Sequence, residues 1–262
     1  CLESGLEIPI VQVLSFAFDF SGAYLAYDRI GPAPEDNGLY VRCLKVQDCP
    51  EKIVEREADV RTSNLTWSKK EPRLAFISGP LDKKGRSGPG RLRLWNPISG
   101  MLGPVVRTED LRRGWGIPEK NRLVFSKDGR RLFFGVKPLE FFEKDETEKE
   151  PGPASDEDLF DTEKILKKRE VDVWHVRDPL IIPNQKKRWP QFKDKLYTAV
   201  LHLKTGRSVA LAEKDLPDVE PVENASWALG LSDVPYLRER TWDGDYFDLY
   251  AVSLESGQRP LL

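Results

Sequence analysis

Residues able to do chemistry are few in this chain and lie far apart. Its only histidines are His175 and His202, which argues against a zinc site and leaves few candidates for a histidine general base. The densest group is Trp174-His175-Val176-Arg177-Asp178, where a histidine, an arginine and an aspartate together could bind a peptide terminus. Strand alternation puts His175 and Arg177 on one face and Trp174 and Val176 on the other, and Asp178-Pro179 reads as the strand's exit, so the group reads first as plain structure and second as a substrate or interdomain contact. A serine nucleophile on a Gly-x-Ser-x-Gly elbow is missing; Gly230-Leu231-Ser232-Asp233-Val234 comes nearest and lacks the closing glycine. Trp115, within Gly114-Trp115-Gly116, and Trp242 fall in expected loops, where aromatics can line a ligand mouth.

The other suggestive motifs have plainer readings. Asp243-Gly244-Asp245-Tyr246-Phe247-Asp248 lacks the spacing and terminal glutamate of a calcium loop and is expected to be a turn before a strand. Gly85-Arg86-Ser87-Gly88-Pro89-Gly90 is followed by no Lys-Ser/Thr and no helix, unlike a phosphate-binding loop. Asp156-Glu157-Asp158 with Asp161 is expected to be a solvated charge run. Lys186-Lys187-Arg188-Trp189 with Lys167-Lys168-Arg169 is locally basic, but the formal net charge is −2, which does not suit a nucleic-acid partner. Asn64-Leu65-Thr66 and Asn224-Ala225-Ser226 fit the glycosylation triplet. No cofactor and no metal site is expected.

The elements that would position any of these residues follow from a repeated phrase. Phe18 precedes Leu25, Trp67 precedes Leu74 and Phe125 precedes Leu132, each by seven residues, and a second aromatic (Tyr27, Phe76, Phe134) stands two further on. Polar and glycine residues fill the interval, as in a hairpin turn. A fourth, degraded copy ends in Trp227-Ala228-Leu229. Each copy leads into a further strand and Gly turn, as in Asp248–Gly257, so each unit holds about four strands. The copies start 49 and 58 residues apart, the excess lying in loops. Such repeats indicate an all-β fold of four-stranded antiparallel β-propeller blades, about four or five in number and forming part of a larger propeller. Trp67 and Trp227 are expected in its core.

On this reading residues 1–262 are one propeller domain, whole or cut short, with a charged insertion at residues 140–170. Glu143–Glu163 carries ten acids against two bases, so its first half is expected to be a solvated loop, while Asp156–Arg169 has the charge order of a short helix. At 39% hydrophobic and 32% charged, the chain can bury a core. No run approaches the ~18 apolar residues of a membrane span. Of three cysteines, Cys43 and Cys49 are near enough to bridge in an oxidising compartment, or to be one strand cysteine and one loop cysteine. The chain opens on Cys1-Leu2-Glu3 rather than Met and ends on Pro260-Leu261-Leu262, as a piece of a longer polypeptide would.

The blade phrase resembles TolB-type and WD-like repeats. Phe160–Lys164 through Val171–Leu180, then Gln185-Lys186-Lys187, and later Trp227-Ala228-Leu229-Gly230 with Ser232–Tyr236, resemble the propeller of bacterial prolyl-oligopeptidase-family serine peptidases. The close matches cover Phe160–Leu262. The resemblance implies a non-catalytic propeller that gates or orients peptide substrates and docks an α/β-hydrolase domain bearing a Ser-Asp-His triad, that domain following this chain's C-terminus. His175, Arg177, Trp115 and Trp242 would be its substrate or interdomain contacts. A bacterial periplasmic or secreted setting is favoured over a cytoplasmic one. Two other readings share the fold: a freestanding TolB-like propeller acting as a protein-interaction platform, and a propeller enzyme for sugars or lactones, which would need acids converging on one blade end.

Overall fold

In three hairpins the repeated aromatic and leucine are direct cross-strand partners: Phe18 with Leu25, Trp67 with Leu74, Phe125 with Leu132. The interval is thus the span of one turn plus its closing pair. Asp19 and Asp128 lock two of these turns. The Asp19 carboxylate accepts the Ser21 hydroxyl at 2.6 Å and the Tyr24 N–H at 2.7 Å; Asp128 accepts the Ser126 hydroxyl at 2.6 Å and the Arg130 N–H at 3.0 Å. Gly22 and Gly129 supply the positive φ, +66° and +69°, that an L side chain resists. The second aromatics are fully buried: Tyr27 at 1%, Phe76 at 0% and Phe134 at 2% exposure.

The computed structural model describes residues 9–31, 36–45, 50–57, 59–81, 87–142, 178–222, 226–241 and 243–262. The expected helix at Asp156–Arg169 and the acidic part of the insertion lie outside them, as does Cys49; Cys43 is half-buried. The chain divides into two compact units, one of residues 1–142, 196–232 and 248–262, the other of residues 143–195 and 233–247.

The first unit holds four antiparallel sheets in chain order. Sheet 1 is β1 (Val13–Phe18), β2 (Tyr24–Arg29), β3 (Gly38–Cys43) and β4 (Lys52–Glu55), side by side. Sheet 2 is β5 (Val60–Trp67), β6 (Leu74–Pro80) and β7 (Arg91–Trp95), with a rudimentary fourth run bridged at Leu92–Val106 and Trp95–Leu102. Sheet 3 contains β8 (Trp115–Gly116), β9 (Val124–Phe125), β10 (Arg131–Pro138), β11 (Tyr197–His202) and β12 (Ser208–Ala210); β8 and β9 both pair with β10. Sheet 4 is β13 (Asp218–Pro221), β14 (Trp227–Ser232) and β15 (Asp248–Ser253), with a bridge at Tyr250–Leu261. Up-and-down meanders packed face to face in sequence are propeller blades.

Alternation fixes what each face meets. Ala26, Leu39 and Val41 of sheet 1 pack on Trp67, Leu74, Phe76 and Trp95 of sheet 2. The opposite face of sheet 2 (Ala75, Ile77, Leu92, Leu94) joins a second core with Leu132, Phe134 and Val136 of sheet 3 and Val219, Ala228 and Val252 of sheet 4. Sheet 2 is therefore buried on both sides. Sheets 1 and 4 each keep one apolar face in water: Phe16 (65% exposed), Phe18 and Ile53 on the first, Trp227, Leu229 and Leu249 on the last.

Trp227 thus corrects the expectation that it is core. In the fourth hairpin Pro221 pairs with Ala228, so proline and alanine hold the slots of the repeated aromatic and leucine. Trp227 is one residue out of phase, and a one-residue offset reverses the face. Gly230 takes the second aromatic's slot. A Cβ there would stand 2.9 Å from Leu216, so the Leu216 side chain occupies the space that an aromatic fills elsewhere.

The second unit contributes an unexpected helix, α1 (Ile182–Asp194), which carries Lys186, Lys187, Arg188 and Trp189 and has Pro190 inside it. No helix among the described residues is long and apolar enough to cross a membrane.

Candidate binding cleft and its surroundings

Of the four expected contact residues, His175, Arg177 and Trp242 lie outside the described residues. Trp115 is in β8, half-buried, with its ring edge-on to Tyr197 at 5.0 Å between centroids. It packs against the second core and lines a cavity of about 220 Å³ whose rim carries Arg112 and Glu213. Those two form an ion pair, and Arg259 holds the other Glu213 oxygen at 2.7 Å. Burial first, then the nearby carboxylates of Asp218 and Glu140, push the Tyr197 hydroxyl's pKa up, so it stays a neutral phenol at pH 7.

No nucleophile–base pair forms among the described residues. The ring of His202 is turned inward, with Nε2 2.9 Å from the Leu254 carbonyl. A carbonyl only accepts, so Nε2 carries the proton. Nδ1 stands 3.6 Å from Glu255. Ser232, the serine of the near-elbow, is 1% exposed and donates to the Asp215 carbonyl at 2.6 Å. It closes a turn of the fold and is sealed from substrate.

Of the loop motifs, Gly85-Arg86 and the Asp156–Asp161 run lie outside the described residues. No group of three or more His, Cys, Asp or Glu among the described residues could hold a metal. The Asp243–Asp248 run does precede β15, but within a long connection, residues 233–247, not a tight hairpin. There Arg240 pairs with Asp233 at 2.8 Å and with Asp245 at 2.5 Å. The Asn64 amide donates to the Glu119 carbonyl, which occupies the nitrogen that glycosylation would need; Asn224 lies outside the described residues.

Sequence reasoning missed a polar cluster between sheets 1 and 2. Asp28 and Glu55 flank Leu39 in register on one face of sheet 1; Thr62 and Ser78 are register partners on the facing side of sheet 2. The Thr62 hydroxyl donates to Asp28 at 2.5 Å and the Ser78 hydroxyl to Glu55 at 2.8 Å, while Arg93 pairs with Glu55. Burial raises the Asp28 pKa to about 6; the Thr62 bond and Arg61 oppose it, and Glu119 adds to it. Beside them β5 carries a bulge, with Asn64 at φ 56°. Ser63 donates to the Glu119 carbonyl at 3.1 Å, and Arg61 pairs with the Glu119 carboxylate at 3.0 Å. Asp28, Glu55, Thr62 and Ser78 are buried between sheets 1 and 2, where they hold register and offer no entrance to a substrate.

The larger opening, about 550 Å³, is a cleft between sheet 3 and β13. Phe125, Phe133, Leu196 and Val219 form its apolar wall, Thr198 adds a hydroxyl, and Arg122, Lys127 and Glu220 stand at its margin. Asn121 shapes the cleft from behind. Its Oδ1 accepts the Gly135 N–H and its Nδ2 donates to the Gly135 carbonyl, both at 2.7 Å. One side chain thereby pairs with β10 where the chain passes from β8 to β9. The two short strands bordering the cleft, β9 and β13, each pair with a neighbour on one side only among the described residues. The volume suits a small ligand or a short extended segment.

No family model and no curated protein matches the sequence. Among solved structures, the chain is similar to a puromycin-hydrolysing peptidase of Mycobacterium tuberculosis (13% identity, TM-score 0.41, covering 95% of this chain and 28% of that one). It is also similar to prolyl endopeptidases studied for inter-domain dynamics (13% identity, TM-score 0.42, 95% and 29%), and to the β-propeller domain of the Trilobed protease of Pyrococcus furiosus (9% identity, TM-score 0.41, 97% and 58%). The chain spans under a third of the length of the first two.

Proposed function

We propose that this chain is the non-catalytic propeller portion of a prolyl-oligopeptidase-like serine peptidase, which gates or orients peptide substrates and docks a separate α/β-hydrolase domain. The family resemblance of Phe160–Leu262 suggests the parent. The observation that carries the reading is the orientation of the repeat. Phe76 points from sheet 2 onto the preceding sheet, within the core shared with sheet 1. Tyr27 holds the same repeat slot in sheet 1. Because its neighbour Ala26 faces sheet 2, Tyr27 faces the other way, onto the side carrying Phe16 and Ile53. That side matches the faces that sheets here bury against one another, and so does the Trp227–Leu229 face of sheet 4. Further blades of one polypeptide would cover both, in keeping with a stack that extends past these four. The sealed Ser232 and inward His202 fit a scaffold whose chemistry is supplied by another domain.

Two experiments test this. The 262-residue chain alone should release no product from chromogenic peptide or ester substrates, and turnover that resists both serine-directed inhibitors and chelators would overturn the reading. The complete coding sequence should encode more blades and a Gly-x-Ser-x-Gly module; a stop soon after Leu262 would favour the protein-interaction platform.

A further inference from the structure

We propose that the cleft between sheet 3 and β13 binds the carboxyl-terminal end of an extended peptide, with an apolar side chain in the cleft and the terminal carboxylate on Arg122. The inference rests on the reading of the chain as a peptide-handling scaffold and adds a position and a ligand chemistry to it. Three observations converge. First, β9 and β13 border the cleft and are paired on one side only among the described residues, β9 being the freer edge because the Val219 carbonyl of β13 already accepts the Thr198 hydroxyl at 3.3 Å and Pro221 has no N–H to donate. A strand edge offers N–H and C=O groups at the spacing of an incoming extended chain, the means by which peptides add to sheets. Second, the wall between those edges is aromatic and aliphatic, and at the rim it stays so in water: Val124 is 41% and Val222 56% exposed. An apolar side chain of a ligand would bury both. Third, Arg122 is exposed at the margin and enters no ion pair among the described residues. A guanidinium meets a carboxylate through two parallel hydrogen bonds. Glu220, at the same margin, disfavours a ligand with several acids and leaves one carboxylate as the best match.

The probe is acetyl-Ala-Phe-Leu with a free carboxylate, compared with its carboxyamide, titrated calorimetrically into the 262-residue chain. Saturable binding of the acid is expected, with the amide about tenfold weaker. Arg122→Ala should weaken the acid about tenfold and leave the amide unchanged. Val124→Asp and Val222→Asp, at exposed positions where folding is not at stake, should weaken both peptides. No saturable binding of the acid, equal affinity for acid and amide, or indifference to all three substitutions with unchanged circular dichroism would each overturn the proposal. Failure of binding beside a reading frame that encodes a hydrolase would sink the cleft alone. Binding beside a reading frame without one would sink the peptidase reading and leave the cleft standing.

Discussion

The two seams on either side of sheet 2 are made of different materials. Toward sheet 3 and sheet 4 the core is apolar, from Ala75 and Ile77 to Leu132, Phe134 and Val252, with Arg61 and Ser63 bonded to Glu119 at its edge. Toward sheet 1 an apolar half, Phe76 against Ala26 and Val41, adjoins a polar half in which Asp28 and Glu55 meet Thr62, Ser78 and Arg93. Apolar burial scales with area and tolerates sliding. Buried polar groups are costly unless their partners are in place. The first seam therefore supplies most of the cohesion and the second specifies alignment, because a shift of sheet 1 along sheet 2 would strand two carboxylates at once.

Phe134→Ala should break the apolar seam with the largest effect, a loss of about 4 kcal/mol seen as a lowered urea midpoint. Glu55→Ala should follow at about 3 kcal/mol, since it leaves the half-buried Arg93 without its carboxylate and the Ser78 hydroxyl without its acceptor. Replacing Glu55 and Arg93 together by methionine should recover much of that loss, a result an apolar seam of the first kind would not show. Asp28 sharpens the contrast by pH. Its carboxyl is harder to ionise in the fold, at about 6 against an ordinary 3.8, so the folded state holds its proton where the unfolded chain has released it. Its stabilising share is complete below about pH 4 and lost as the pH climbs through 6. Asp28→Asn should flatten that slope and raise stability at pH 8 by up to about 3 kcal/mol, measured by denaturant titration at pH 5 and pH 8. The smallest effect belongs to neither seam: Phe16→Ser, on the exposed face of sheet 1, should change stability by under about 0.5 kcal/mol while lowering light scattering of the concentrated chain.

The contrast also separates what residue order reveals from what it conceals. The hairpins were legible because a turn and its closing pair are local: Phe18 and Leu25 announce each other through the residues between them. Trp227 has the residue type of a blade aromatic but not its phase, which Pro221, seven before Ala228, marks instead. Helix α1 was hidden by Pro190, which normally interrupts a helix, and by the lack of a side-chain cap at Ile181. The polar seam had no local signature. Asp28 and Glu55 look like ordinary strand positions facing water until sheet 2 arrives with Thr62, Ser78 and Arg93 from far along the chain. In the cleft, Arg122 and Val124 sit beside the third repeat without belonging to its pattern. Trp115 stands out in the sequence by its type alone; its contact with Tyr197 depends on β8 and β11 meeting across β10.

The shared register of the hairpins makes their turns exchangeable parts. The interval is the same in all four, so a turn spliced from the first hairpin into the third would return the chain with its oily and wet sides as before. A graft one residue longer would put Leu132 and Phe134 outside and invite clumping. Length variation in this scaffold therefore belongs in the connections between hairpins, where the long excursions after Phe142 and after Ser232 already stand, and a designer adding a tag or a binding loop should place it there.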